Sequence, residues 1–207
     1  MKIGIALGSG SARGWAHIGV LNQLTEMGIE PDIVAGSSIG SLVGAAYAGQ
    51  NLEAFEAWVN GLDSKGIIQL LDITWGKGGL IEGKKLFDYF SDNLEDDDIG
   101  SLPVKYAAVA TDMSTGREVW FQEGSVYEAV RASIALPGLF TPMKKDSQWI
   151  MDWGIVNPVP DSLSQAMGAD IVIAVDLNSY NIGNHLRKPS TADNAKDADD
   201  TIFHKPF

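Results

Sequence analysis

The chain has 207 residues, enough for one large domain, with 45% hydrophobic residues and a net charge of −12. That acidity weighs against nucleic acid as a partner and against strong docking on anionic lipid, and with no cysteine there are neither disulfides nor thiolate metal sites. No apolar run approaches the roughly 20 residues of a membrane span, and a strand begins straight after Lys2 with no leader-like segment, so a cytoplasmic protein is expected.

Lys2 to Leu7 reads as a buried first strand. It runs into Gly8-Ser9-Gly10-Ser11-Ala12-Arg13-Gly14 and then a helix over Trp15 to Met27, with Ile18, Leu21 and Leu24 at helical spacing. A glycine-rich strand-to-helix loop turns backbone N–H donors toward an anion. Two chemistries want such a loop: acyl transfer, which needs donors for an oxyanion, and dinucleotide binding. The glycines give G-x-G-x-x-x-G, but the nucleotide pattern needs an acidic residue at the end of the second strand. Here Asp32 stands at the start of that strand.

The second strand, Asp32 to Ala35, ends in Gly36-Ser37-Ser38-Ile39-Gly40, and a small-residue helix follows from Ser41 to Tyr47. In a G-x-S-x-G turn between strand and helix the glycines allow a sharp reversal, and the middle serine is left at the helix N-terminus where negative charge is favoured. Ser38 is therefore a candidate nucleophile; the alternative is a plain helix cap.

Residues 62–98 carry apolar clusters broken by glycines. They read as core packing or, more sharply, as an acyl-binding flap over the serine. Val104 to Met113 fits a central strand, Thr115-Gly116-Arg117 a turn, and 118–122 a returning hairpin strand. A strand over 148–152 ends in Asp152-Trp153-Gly154. Asp152 suits either a base or the turn role common to Asp before Gly. A helix over 160–167 ends at Gly168, a last strand spans 171–177, and the polar stretch 179–207 reads as a mobile tail. Strands alternating with helices predict an α/β fold: a mostly parallel central sheet sandwiched by helices, in one domain over 1–178.

Taken in order, Ser9-Gly10-Ser11-Ala12-Arg13-Gly14, Gly36 to Gly40 and Asp152-Trp153-Gly154 resemble the three motifs of the patatin-like phospholipase family. So do His17-Ile18-Gly19-Val20-Leu21, Arg131 to Pro137 and Asn157-Pro158-Val159-Pro160, which point to its small bacterial cytoplasmic branch. The resemblance covers Lys2 to about Leu177. It implies the patatin-like fold and a serine lipid acyl hydrolase of phospholipase A or esterase type. It also implies a Ser–Asp dyad, with Ser38 as nucleophile and Asp152 as base, and an oxyanion hole at Gly10, Ser11 and Ala12 with Arg13 orienting the loop. The implied partner is a lipid or acyl ester, with at most transient membrane-surface contact; no metal, cofactor or nucleic acid is implied.

A carboxylate is a weak base unless burial raises its pKa, and Trp149, Trp153 and Ile155 are the residues placed to desolvate Asp152. Ser9 and Ser11 stand where the family has glycine, so a positive φ at either costs on the order of 1 kcal/mol. Trp153 replaces a small residue beside Asp152. A Ser–Asp–His triad is the rival mechanism and would draw on His185 or His204, both in the polar tail; His17 precedes the serine and reads as a packing or hydrogen-bonding residue. A non-catalytic lipid-sensing protein on the same scaffold is the alternative from another class.

Overall fold

The computed structural model describes residues 1–61, 98–135, 143–145, 148–152 and 158–178. The proposed flap (all but Asp98), Trp153 and Ile155, both tail histidines and the tail itself lie outside them. The described residues up to Leu177 form one compact unit.

Strand β1 (Ile3–Leu7) leads through a 3-10 turn (Ser11–Trp15) into α1 (Ala16–Glu26). Then come β2 (Ile33–Ser37), α2 (Ile39–Ala48) and α3 (Leu52–Asn60). After a 3-10 turn at Ile99–Ser101 follow β3 (Lys105–Asp112), β4 (Glu118–Phe121) and α4 (Val126–Ile134). The last described elements are β5 (Met143–Lys145), β6 (Gln148–Met151), α5 (Asp161–Ala166) and β7 (Ile171–Val175).

These strands form one sheet of seven, with hydrogen-bonded neighbours in the order β5-β6-β3-β2-β1-β7 and β4 also paired to β3. The pairs β2–β3, β1–β2 and β1–β7 are parallel. β4, β5 and β6 join antiparallel, so the sheet is mostly parallel in its middle and mixed at one side. Helices flank it, as the α/β reading expects. The short strand β5 has no counterpart in that reading: Met143-Lys144-Lys145 lacks the β-branched, alternating pattern by which a strand is read.

Alternation along the strands divides the core between the two faces. Ile5, Leu7, Val34, Tyr106, Ala108 and Ala110 pack with α1, α2, α3 and α4. Ile33, Ala35, Ala107 and Val109 turn the other way and pack with Leu163 and Met167 at α5. The central strands are thus buried on both sides, which explains why they read as continuous apolar runs rather than alternating ones.

The α2 helix lies unusually close to the sheet. A Cβ on Gly36 would strike the backbone of Gly40 and Ser41, and one on Gly40 would strike the Leu7 carbonyl and come within 2.8 Å of the Gly8 carbonyl. These glycines exist for close approach of backbone to backbone. By contrast, Gly19, exposed on α1, has nothing within 4 Å of its missing Cβ. We predict opposite outcomes for the same substitution. Gly40→Ala should lose about 1–3 kcal/mol of stability or more, as overpacking does, while Gly19→Ala should gain about 0.5–1 kcal/mol from helix propensity. Denaturant unfolding of the two variants checks this.

Candidate active site

Ser38 follows the last residue of β2 and precedes α2, with φ 53° and ψ −125°. For a side chain larger than glycine that backbone is strained, and such strain is held in place only by its surroundings. Hydrogen bonds hold it on several sides, among them one from the Ser41 N–H to the Ser38 carbonyl at 2.9 Å. The Ser38 N–H donates to Ser133 Oγ at 2.8 Å. The Ser38 carbonyl accepts from Ser41 Oγ at 2.6 Å. The Ser38 hydroxyl donates to Asp152 Oδ2 at 2.8 Å. The residue is 8% exposed and Asp152 only 2%, so the pair sits at the floor of the surface rather than on it.

The sheet register explains why two residues 114 positions apart meet. Ala108 and Val109 pair with β2 on one edge of β3 and with β4 on the other. Thr111 pairs with Glu118 of β4 and with Met151 of β6, so β6 approaches from the edge that β2 occupies lower down. The last pair of β2 is Ser37 with Val109, and β6, running the opposite way, ends with Met151 opposite Thr111. Only Ala110 separates the two levels. The next residues of the two strands, Ser38 and Asp152, converge there.

Asp152 is fixed from behind as well: its N–H donates to the Ala135 carbonyl, just beyond α4, at 2.6 Å. Trp149, one of the residues expected to desolvate Asp152, is half open to solvent: along β6 it alternates with the buried Ile150 and so points away from the face that Ile150 and Asp152 share.

The glycine-rich loop lies beside this pair, since β1 and β2 run parallel with Leu7 opposite Gly36. A Cβ on Gly14 would overlap the side chain of Ile39. The loop is tied down by backbone bonds from Gly8 N–H to the Val175 carbonyl (3.1 Å) and from Ser9 N–H to the Pro158 carbonyl (2.8 Å). The positive φ anticipated at a serine falls on Ser11 (47°), while Gly10 is extended. Arg13 is exposed, and its amide donates to the Gly10 carbonyl at 3.0 Å within the 3-10 turn. The amides at Gly10, Ser11 and Ala12 precede that first internal bond, the place where helical turns leave N–H groups without internal acceptors.

His17 completes the loop's support. It is fully buried on α1, and its Nε2 lies 2.7 Å from the Gly8 carbonyl. A carbonyl only accepts, so Nε2 carries the proton, and Nδ1 is left buried with no partner among the described residues. Burial lowers the His17 pKa from its ordinary value, opposed by the bond to Gly8.

Asp112, at the end of β3, is buried and bonded to its own turn: its carboxylate accepts from the Ser114 amide and hydroxyl and from Thr115 Oγ1. Asp32, at the wrong end of β2 for a dinucleotide site, accepts from the Ile3 N–H at 2.7 Å and so joins β1 to β2. A groove of about 730 Å³ lies at the opposite end of the sheet, lined among others by Glu30, Pro31, Asp32, Tyr47, Pro103 and Val104, and it does not include Ser38. Among the described residues no cluster of His, Asp and Glu is arranged to hold a metal ion, and no helix is long and apolar enough to cross a membrane.

Ser133, which lies in the family-like stretch Arg131 to Pro137 but is given no role of its own by the resemblance, touches the candidate site through its bond to the Ser38 amide. Its signal was a serine on the apolar face of α4, in helical register with Val126, Ala129 and Val130.

A sequence model of the family described as patatin-like phospholipase matches residues 5–161. An uncharacterized NTE family protein of Mycobacterium tuberculosis is 41% identical over 182 residues, covering 88% of this chain and 51% of that protein. A patatin-like phospholipase domain-containing protein of Caenorhabditis elegans is 37% identical over 184 residues, covering 86% of this chain and 14% of its own length. The human patatin-like phospholipase domain-containing protein 6 is 34% identical, with 86% and 13% covered. The chain therefore spans about half the length of the mycobacterial relative and a small part of the animal ones. Among solved structures, VipD from Legionella pneumophila superimposes with a TM-score of 0.50 at 15% identity, covering 75% of this chain and 46% of that one, a likeness of fold.

The neutral buried His17 has a consequence for stability. Its pKa is depressed in the folded state, so the unfolded chain binds the extra proton first as pH falls below about 6.5, the ordinary value. Stability should be constant above that pH and decline below it, with a slope of at most about 1.4 kcal/mol per pH unit, the limit for one proton. In His17→Gln the decline between about pH 6.5 and the onset of carboxylate titration should flatten. Urea unfolding across that range checks it.

Proposed function

This chain belongs to the patatin-like phospholipase family, and on that premise we propose that it is a serine hydrolase of lipid acyl esters working through a Ser38–Asp152 dyad. The observation that carries the reading is the 2.8 Å hydrogen bond from the Ser38 hydroxyl to a carboxylate that is itself almost fully buried. Burial keeps competing water off the carboxylate, and the hydrogen bond places it on the proton it would take.

In this mechanism Ser38 Oγ attacks the ester carbonyl as its proton passes to Asp152 Oδ2. The carbonyl oxygen becomes an oxyanion, held by amides at Gly10, Ser11 and Ala12, with Arg13 orienting their loop. Preorganised donors of this kind commonly contribute the largest share of barrier lowering. Collapse of the tetrahedral intermediate breaks the bond to the alcohol, which takes the proton back from Asp152. Water, deprotonated by Asp152, then attacks the acyl-enzyme, and the fatty acid leaves with Ser38 restored. The strained turn at Ser38 keeps its hydroxyl at the top of the sheet in one orientation. The pair needs no imidazole, and no metal takes part.

Turnover of a short-chain p-nitrophenyl ester tests the roles. Ser38→Ala and Asp152→Asn should each lower kcat by about 10⁴ or more. The double variant His185→Ala/His204→Ala should keep most of its activity. A folded double variant that loses two or more orders of magnitude would require a triad, and an active Ser38→Ala would remove the serine from the mechanism.

A further inference from the structure

We infer that Ser133 is a positioning residue for the nucleophile: its hydroxyl fixes the Ser38 amide and with it the strained turn that aims Ser38 Oγ at Asp152. The inference rests on the reading of Ser38 as nucleophile. Ser133 is fully buried on α4, inside the Arg131 to Pro137 stretch, to which the resemblance assigns no catalytic or oxyanion role. Its hydroxyl oxygen accepts from the Ser38 N–H at 2.8 Å and its proton goes to the Val109 carbonyl at 2.7 Å. Val109 is the last residue of β3 in register with β2, opposite Ser37. The hydroxyl therefore spans the two strands at the point where their ladder stops and the chain turns to φ 53°. The hydroxyl both accepts and donates, and each bond is to a backbone group at the end of the β2–β3 ladder.

The same end of α4 reaches the base. Two residues after Ser133, the Ala135 carbonyl accepts from the Asp152 N–H. One helix terminus thus holds the backbones of both dyad residues, and Ser133 is its side-chain contact to the nucleophile. Without the hydroxyl, the Ser38 amide loses its buried acceptor and the turn loses what over-determines its strained backbone. Attack geometry should then loosen while the surface that receives substrate stays in place, which predicts an effect on kcat and not on KM.

The test is the rate of covalent labelling by a fluorophosphonate probe, with kcat and KM on a short-chain p-nitrophenyl ester and thermal unfolding of each variant. Ser133→Ala should label about ten- to a hundredfold more slowly than wild type, with kcat lowered in proportion and KM unchanged. Ser133→Thr, which keeps the hydroxyl, should recover most of the rate. If Ser133→Ala does not fold, Ser133→Cys replaces it: the thiol nearly matches the volume but is a weak acceptor, so a folded, slowly labelled protein is expected. A folded Ser133→Ala or Ser133→Cys that labels at the wild-type rate overturns the inference and leaves Ser38 as nucleophile untouched. A loss shared equally between kcat and KM, in step with lowered thermal stability, also overturns it, because that is the mark of a merely structural role. Wild type that never labels, like Ser38→Ala, defeats the nucleophile reading itself.

Discussion

Two strands run toward each other along one edge of β3 and stop with a single β3 residue, Ala110, between their levels. Each hands its next residue to the same point, and the hydrogen bond between Ser38 and Asp152 is the product. A register slip of one residue in β6 would turn Asp152 to the opposite face of the sheet, since side chains alternate with a period of two. The site is thus a consequence of strand pairing. The pairing is in turn fixed by a core buried on both faces of the central strands.

Around that meeting point the chain gives up side chains and tolerates strain. Gly36 and Gly40 let α2 press against the carbonyls at the end of β1, and this brings the glycine-rich loop alongside the serine turn. Ser11 and Ser38 both sit at positive φ, a conformation that costs on the order of 1 kcal/mol for each. Strain persists where several contacts over-determine it. Here those contacts are named: Ser133 and Ser41 on the Ser38 turn, and Val175, Pro158 and His17 on the loop. Polar groups in a buried shell, rather than apolar packing alone, specify the local geometry.

Much of this was legible in the sequence, for physical reasons that differ by residue. The existence of β1, β2, β3, β4 and β7 followed from apolar runs that end at Gly, Asp or a tight turn, though β2 runs on through Gly36 and Ser37 and β7 stops at Val175, and the α/β class followed from their alternation with helices. Ser38 stood out because its chemistry sits in a local pattern, strand, turn and helix within a dozen residues. Asp152 was ambiguous in isolation, since its partner is 114 residues away and no local pattern encodes long-range register. Resemblance supplied that pairing; composition and periodicity did not. The antiparallel entry of β4 was read from its tight turn as a hairpin, whereas that of β5 and β6 depended on which edge of β3 each strand takes, and a single sequence carries no sign of that. Ser133 lay within the family-like stretch Arg131 to Pro137, but its contact with the Ser38 amide did not show there. A serine inside a helix is unremarkable until its neighbours at helical spacing are seen to be wholly buried. His17, read as a packing or hydrogen-bonding residue, holds the Gly8 carbonyl.

The central claim is that an acyl group is passed to Ser38 with Asp152 as its only side-chain base. Rapid quenching of the protein with a p-nitrophenyl ester during the first turnover, followed by peptide mass mapping, addresses it most directly. A single acyl adduct is expected, on the peptide that carries Ser38, released on further incubation. An adduct on any other residue, or steady release of p-nitrophenol from folded protein with no adduct on Ser38 at any time, would contradict it.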